Sequence, residues 1–437
     1  MADGAAALAP GKQPRRRTFP AWLPWFTWGL GALLFCYGFF QRVAPSVMID
    51  HLMRDLAVGG AVLGNLSAFY FYAYASLQIP VGLMVDRWGP RRLLTGGALL
   101  CGLGSLLFAL AQDIALAYLG RLLIGAGAGF GFVSTLKLAT SWFPPQRFAQ
   151  ISGFTLMLGM LGGIGGQAPL AVLVEVSGWR GTLFWAAAFA VLLAALIWLL
   201  VRDRPPDAPL EDGAETRGTA LLAGLAAVAR APRNWILALV CAAMTAPMLA
   251  FAGLWGVAWL MQTKGLARPE AAGTASLMLL GWAIGGPLLG TLSDRLRRRK
   301  GPLLGGGALG LACLAAILYL PGLPLAVLWV LFLLNGIGLG AMVIGFAAAR
   351  EGNPPSVIGV AYAFVNTAVV ATGAVFQPLV GALLDLAWDG SLVEGARIYS
   401  PLAYRIALSS LVAFLALGLL AGLALEKRRP TTSGDAP

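Results

Sequence analysis

Long apolar runs, separated by short polar or basic segments, follow one another along almost the whole chain. Each run is long enough to cross a bilayer as a helix, which takes roughly 17 to 25 residues. The Gly, Pro and charged residues that interrupt the runs delimit twelve predicted spans. They are residues 22-47, 61-85, 93-112, 114-138, 149-174, 182-201, 234-261, 271-292, 302-320, 324-348, 357-385 and 403-425. The pattern predicts an all-α membrane protein whose two chain ends lie on the same side of the membrane.

Composition supports a membrane protein over a soluble one. The chain is 59% hydrophobic and 11% charged, whereas soluble domains carry about 25% charged residues. The polar, basic segment 1-21 is expected to stay attached, because no small-residue cleavage site ends the following apolar run. The four cysteines lie inside apolar runs without metal-ligand spacing, so we expect no metal and no cofactor.

The basic residues indicate the orientation of the chain. A net charge of +12 would point to nucleic acid in a soluble protein, but here the charge lies in short loops. With the termini in the cytoplasm, 22 basic residues lie on that side against 6 on the other. The positive-inside rule therefore predicts a cytoplasmic (inner) membrane protein with both termini cytoplasmic and no nucleic-acid partner.

An internal repeat divides the chain into two halves. The segment GLMVDRWGPRR at 82-92 matches GTLSDRLRRRK at 290-300, an offset of 208, and Gln167 pairs with Gln377 at an offset of 210. Two such halves enclose a central cavity in parallel-repeat membrane proteins. The predicted organisation is a cytoplasmic N-tail 1-21, a six-helix bundle 22-201, a cytoplasmic linker 202-233, a second six-helix bundle 234-425 and a cytoplasmic C-tail 426-437.

The segment at 82-92 resembles the signature loop of the major facilitator superfamily, a G-x-L-x-D-R-x-G-R/K-R/K pattern between the second and third spans. Met84 stands where that pattern has Leu, and Pro90 is inserted. The resemblance implies a transporter with a rocker-switch mechanism, and a carboxylate at a helix end can engage arginines and a neighbouring helix N-terminus. The expected gate residues are Gly82, Asp86, Arg87, Gly89, Arg91, Asp294 and Arg295. The alternative is a basic turn that only sets topology.

The N-terminal half further resembles the anion:cation symporter group, which carries organic anions such as sugar acids. The similar segments are FFQRVAPSVM at 39-48, the second span from Ser67 to Arg92, and RLLIGAGAGFGFVSTLKLATSWFPP at 121-145. Arg42 stands where that group has its anion-binding arginine. The group's proton carriers, however, are acids at positions that are Gln41 and Ala128 here. Facilitated diffusion, exchange, or coupling through Asp50, His51 or Glu175 stays open.

Three cations within the predicted spans are candidate substrate ligands. Arg42, Arg121 and Lys137 each cost several kcal/mol unless they face a wet cavity or a partner. Snorkelling is the alternative for Arg42 and Lys137, and helix packing is the alternative for Arg121. The full predicted substrate site is Arg42, Tyr74, Arg121, Lys137, Gln167, Asn366 and Gln377. The amides can instead bridge helices.

No carboxylate lies deep in the first six predicted spans, which favours an anionic or zwitterionic substrate. Exporters of amphiphilic compounds and carriers of zwitterionic peptides or amino acids remain alternatives, and a non-transporting sensor is disfavoured because the tails are short. An enzyme is not expected, since no nucleophile with a His or acid pair is present. We expect a small-molecule substrate, the lipid bilayer as surroundings, a coupling ion left open, and a monomer.

Overall fold

A computed structural model describes Pro20 and residues 22–205, 218–354 and 357–425. The N-terminal half begins with α1 Trp22–Val43, a 3-10 turn Ala44–Val47, α2 Ile49–Asp55, α3 Gly60–Trp88, α4 Pro90–Leu110, α5 Ile114–Gly129, α6 Gly131–Trp142, a 3-10 turn Pro145–Arg147, α7 Phe148–Gly165 and α8 Ala168–Leu200. The predicted tails, apart from Pro20 at one end, and linker residues 206–217 lie outside the described residues.

The C-terminal half repeats this succession of helices. After α9 Gly218–Arg230 come α10 Pro232–Ala246, a π-helical segment Pro247–Trp255, α11 Gly256–Lys264, α12 Arg268–Arg295, α13 Lys300–Tyr319, α14 Leu325–Gly340, α15 Val343–Glu351, α16 Ile358–Leu386, strands β1 Leu392–Val393 and β2 Ala396–Arg397, and α17 Pro401–Gly422. The two strands form an antiparallel hairpin that the apolar pattern did not predict.

Ten described helical segments are long and apolar enough to cross a membrane, and the bent pair α2 and α3 raises the number to eleven. The difference from twelve arises at α8, where Gly178 has a φ of 67° and interrupts the helix. Such a φ favours glycine, which has no Cβ. The part of α8 before Gly178 continues α7, and the part after it matches predicted span 182-201. Ten or eleven of the twelve predicted spans are therefore matched by described helices that are long and apolar enough to cross a membrane.

The seventh predicted span lies at the centre of the bundle. Its hydrophobic window, within Pro232–Lys264, is 89% buried, against 33 to 61% for the other nine. A helix that is apolar all round is stable when protein surrounds it on every face. This central helix packs against α16 and α17.

The helix bundle has two ends, which we call the termini side and the distal side. The termini side holds Trp22 and Gly422, and the distal side holds α2 and the hairpin. α3 and α16 form the most extensive contact between the halves, and α12 packs on α7 and α8. In the predicted linker, α9 packs against α16 and so adds helical structure to a segment predicted only as a connection.

Candidate functional site

Arg42 lies in the last turn of α1 and its side chain is surrounded by aromatic rings. Its guanidinium carbon is 4.1 Å from the centroid of Phe39, 5.1 Å from that of Tyr74 and 5.5 Å from that of Tyr70. The residue is only 8% exposed, and its Nε has no hydrogen-bond acceptor. Within the described residues no carboxylate pairs with it. This is a buried cation held by π faces and without a counter-ion.

Arg121, in α5, is near the same tyrosine but is bound to the backbone. Its guanidinium donates to the Gln41 carbonyl oxygen at 2.8 Å and to the Ser67 carbonyl oxygen at 3.3 Å. Its guanidinium carbon is 5.2 Å from the Tyr70 ring centroid, and the residue is fully buried. Arg121 therefore joins α5 to α1 and α3, which is the packing role left open above.

The repeat-related glutamines both lie at the central helix. Gln167 Nε2 donates to the Ala252 carbonyl oxygen at 2.8 Å, and Gln377 Nε2 donates to the Leu249 carbonyl oxygen at 2.9 Å. Both acceptors belong to the π-helical segment, where the wider turn alters the i to i−4 ladder. No periodic signal marks this segment in the sequence beyond its leading Pro247.

Lys137 lies apart from the Arg42 group. Its Nζ is 3.0 Å from Asp86 Oδ1, and this pair joins α6 to the end of α3 on the termini side. Asn366, in α16, is half-buried and lies about two turns from the end of that helix on the termini side. The structure thus brings Arg42, Tyr74 and Arg121 together and places Lys137 with the predicted gate residues.

We call the termini-side junction around Asp86 and Lys137 the Asp86 corner. The repeat-related junction in the C-terminal half, around Asp294, carries its own charged pairs. Arg299 contacts Asp294 and also Glu351 of α15, with an N–O distance of 2.7 Å to Glu351. The hydrogen bonds that Arg299 donates to Glu351 raise the pKa of Arg299, against the lowering effect of burial. On the termini side, both charged groups stay within one half of the chain. Gly82, Arg87 and Arg295 lie beside them on the same helix ends.

Asp203 also lies at the Asp86 corner, although the sequence pattern placed it in the linker. Its Oδ1 accepts a hydrogen bond of 2.6 Å from the Arg91 backbone N–H at the start of α4, next to Gly89. Arg91 in turn donates to the Trp198 carbonyl oxygen and stacks on the Trp198 ring. A carboxylate at a helix N-terminus is favourable. Only its closeness to the end of the sixth span, in Arg202-Asp203-Arg204, could have indicated this role.

On the distal side, by contrast, charged groups join the two halves. Asp385 of α16 accepts from the backbone N–H groups of Gly60 and Ala61, both at 2.9 Å, at the first turn of α3. Arg397 and Tyr399 also donate to Asp385, at 3.0 and 2.6 Å. A Cβ on Gly381 would overlap the Gly60 carbonyl oxygen, so the two helix backbones touch here.

A second distal pair links α2 to α12. Arg268 donates to both carboxylate oxygens of Asp50, at 2.7 and 2.6 Å, and to the Val47 carbonyl oxygen at 2.9 Å. α2 is bent by 113° from α3 and does not extend that span. Burial opposes ionisation of Asp50, but the bonds from Arg268 and His51 hold its pKa well below the usual range. Asp50 therefore stays ionised near neutral pH.

Cavities lie at three other places. One of 640 Å³ on the distal side is lined by His51, Arg54, Glu175 and Arg268 among others. One of 1510 Å³ runs between α4 and α8, and one of 380 Å³ lies at the Asp86 corner. Arg42 lines none of these three. Among the described residues, no group of three or more His, Cys, Asp or Glu side chains is placed to hold a metal.

Two packed halves of apolar helices, joined by charged groups on the distal side, and a buried cation within the N-terminal half are typical of a polytopic membrane transporter. The sequence profile of the Major Facilitator Superfamily matches residues 30–378, and the chain belongs to that family. The fold agrees with this. A bacterial homologue of the human lysosomal transporter Spinster has a TM-score of 0.75 at 16% identity, over 93% of this chain and 97% of that one.

Curated relatives are named for transport of small molecules. The "probable sulfoacetate transporter" of Cupriavidus necator is 25% identical over 63% of this chain and 66% of its own length. The "quinolone resistance transporter" of Acinetobacter baumannii is 30% identical over 38% of this chain and 40% of its own length. In both, the match spans less than two thirds of the relative. The "probable galactarate/D-glucarate transporter" of Bacillus subtilis matches over 84% of this chain and 85% of its own length, at 23% identity.

Proposed function

We propose that this protein carries a small organic anion across the cytoplasmic (inner) membrane by alternating access. The observation that carries the proposal is Arg42, a buried guanidinium with an unsatisfied Nε and no carboxylate partner in the described part of the chain. A charge within a span costs about 2.5 to 3.5 kcal/mol on insertion scales. A bound anion would supply the missing counter-ion and the missing acceptor.

The names of the relatives favour this substrate class. Sulfoacetate, galactarate and D-glucarate, in the names of two of them, are small carboxylate-bearing anions. We propose that Arg42 binds the anionic group and that Tyr74 provides part of the wall around it. Arg121 acts as a positioning residue, because its Nη1 and Nη2 donate to backbone carbonyls of α1 and α3.

We propose uniport or exchange for the mode of transport. Gln41, at one of the two proton-carrier positions, donates hydrogen bonds from Nε2 to the Ser105 hydroxyl at 2.9 Å and to the Tyr37 hydroxyl at 2.5 Å. Ala128 occupies the other position. Asp50 is paired with Arg268 and ionised, so it has little tendency to take up a proton near neutral pH. These residues offer no carboxylate that would titrate beside Arg42.

The gates follow from which contacts cross between the halves. With cytoplasmic termini, as the basic loops predict, the distal side faces outward, and Asp50–Arg268 and Asp385 at α3 hold it closed. The predicted cytoplasmic gate around Asp86 and Asp294, including Gly82, Arg87, Gly89, Arg91 and Arg295, closes in the opposite state. We propose a monomer, in which each chain contains its own site.

A thermal-shift screen of the purified chain tests the proposal. Sulfoacetate, tartrate, D-glucarate and galactarate are compared with dipeptides and with hydrophobic cations, in wild type, Arg42→Gln and Arg405→Gln. Arg405 is an exposed arginine of α17 and serves as the matched control. We expect at least one organic anion to raise the melting temperature of wild type and Arg405→Gln but not of Arg42→Gln. Stabilisation by dipeptides alone would contradict an anion carrier.

Export of amphiphilic compounds is the second candidate. It rests on the 30% identical relative named for quinolone resistance and on the aromatic rings around Arg42. In the same screen it predicts that hydrophobic cations stabilise the chain and that Arg42→Gln responds as wild type does.

A further inference from the structure

Two cavities on the outer wall of the N-terminal half adjoin each other and are considered together as one feature. The 1510 Å³ groove between α4 and α8 and the 380 Å³ cavity at the Asp86 corner share Trp88 and Arg92 as lining residues. The groove is apolar along its length, and the corner cavity is rich in arginine. The feature therefore has a charged end on the termini side and an apolar body within the membrane.

The apolar body faces outward. Leu99 and Leu103 of α4 and Val191 of α8 are 49, 48 and 51% exposed along it. From Arg92 to Leu106 the helical rise is about 21 Å, more than the roughly 15 Å of one leaflet in a hydrocarbon core about 30 Å thick. The groove is long enough for an extended acyl chain.

The charged end contains more cationic side chains than its acidic side chains neutralise. Its two acids are already engaged, Asp86 by Lys137 and Asp203 by the Arg91 backbone N–H. In the described part of the chain, Arg92 and Arg204 line the cavity without a carboxylate partner, and both are exposed. Trp88, 45% exposed, lies at the junction, where an amphipathic ring suits the membrane interface.

We propose that this feature binds an anionic phospholipid of the leaflet on the termini side. Its phosphate contacts Arg92 and Arg204, and one acyl chain lies in the groove between α4 and α8. A basic pocket at the cytoplasmic face of a helix bundle attracts anionic headgroups, and the adjoining groove selects an amphiphile over a soluble anion. Because the headgroup lies beside the Asp86–Lys137 pair, occupancy stabilises the corner between α3 and α4. The proposal is independent of the transported substrate.

Binding is measured on the delipidated full chain in detergent, by native mass spectrometry and thermal shift. The probes are phosphatidylglycerol, phosphatidylcholine with the same acyl chains, and inorganic phosphate. We expect phosphatidylglycerol to bind and stabilise, and the other two to do so weakly. The R92Q/R204Q variant loses two surface charges and binds phosphatidylglycerol about 30-fold more weakly. The R230Q/R298Q variant, with the same charge change at exposed positions outside both cavities, binds as wild type does.

A second pair of variants tests the groove without changing charge. Gly96 lines the groove, and a Cβ there meets no atom within 4 Å, so Gly96→Leu fills it without a clash. Gly153→Leu is the control, equally open but on α7 and outside both cavities. We expect Gly96→Leu alone to weaken phosphatidylglycerol binding. Equal binding of the two lipids, wild-type binding by both R92Q/R204Q and Gly96→Leu, or stabilisation by inorganic phosphate equal to that by lipid would each overturn the proposal.

Discussion

Arg42 and Arg121 lie close to the ring of Tyr70, with guanidinium carbons 5.5 and 5.2 Å from its centroid, but their partners differ. Both arginines leave Nε without an acceptor, but Arg121 donates through Nη1 and Nη2 to carbonyl oxygens of two other helices, whereas the guanidinium of Arg42 lies among aromatic rings. A buried donor without an acceptor carries its full desolvation cost. At the scale of the residue, we therefore propose that Arg121 holds helices together and that Arg42 is available for a ligand.

This difference predicts opposite effects on stability. Arg121→Gln removes two charge-assisted hydrogen bonds and should lower the free energy of unfolding by about 2 to 4 kcal/mol. Arg42→Gln removes a buried charge together with its contacts to the Phe39, Tyr70 and Tyr74 rings. Relief of the desolvation cost should offset the lost ring contacts, so the ligand-free melting temperature should stay the same or rise. Thermal unfolding of both variants in detergent, without added anions, measures this. A large loss in Arg42→Gln with little change in Arg121→Gln would reverse the assignment.

At the residue scale the sequence indicated which groups are costly but not what contacts them. Arg42, Arg121 and Lys137 were recognisable because each interrupts an apolar run. Their partners lie on other helices: backbone carbonyls for Arg121 and the carboxylate of Asp86 for Lys137. Such pairings depend on helix rotation, which a hydropathy pattern leaves undetermined.

Among the elements, α3 and α16 form the main contact on the distal side. The Asp385 carboxylate accepts from two N–H groups at the first turn of α3, where the helix dipole also favours negative charge. Gly60 and Gly381 allow the two backbones to touch at the same level. The contact depends on one carboxylate and two small residues.

Asp385→Asn should weaken this contact and open the distal side. Loss of charge-assisted hydrogen bonds costs about 1.5 to 3 kcal/mol, enough to shift a balanced equilibrium between two states. Spin labels on Gln112→Cys and Leu320→Cys, which lie at the distal ends of α4 and α13, report the separation of the halves. We expect Asp385→Asn to add a longer distance.

Asp389→Asn is the matched control for that measurement, because Asp389 is exposed and accepts a local hydrogen bond from the Ser391 backbone N–H two residues away. It should leave the distances as they are in the parent. If Asp385→Asn also left them unchanged, the α3–α16 contact would not be part of the distal gate.

The elements themselves were largely predictable, and the interruptions were not. Apolar runs located the helices because the bilayer demands long apolar segments with internal backbone hydrogen bonds. The break at Gly178, the π-helical segment after Pro247 and helix α9 lie where local composition fits more than one backbone path. Asp385 was not predicted as a distal contact, since nothing in its sequence neighbourhood points to the N-terminus of α3.

Across the whole molecule the interactions between the halves are asymmetric. Ion pairs on the termini side, such as Lys137–Asp86 and Arg299–Glu351, stay within one half. On the distal side, Asp50–Arg268 and the exposed Arg54–Glu394 pair cross between the halves. The repeat in the sequence predicts two related halves, but one sequence encodes both states of a carrier, so only the structure shows which side is closed.

The most direct test of an anion carrier centred on Arg42 is uptake of labelled sulfoacetate, tartrate, D-glucarate or galactarate into proteoliposomes, whichever stabilises the purified protein. The variants are Arg42→Gln and Arg405→Gln at equal reconstitution, with and without the same anion inside. The account predicts uptake by wild type and Arg405→Gln and a loss of at least about tenfold in Arg42→Gln, the equivalent of one 1.4 kcal/mol interaction. Uptake by Arg42→Gln at the wild-type rate would contradict it.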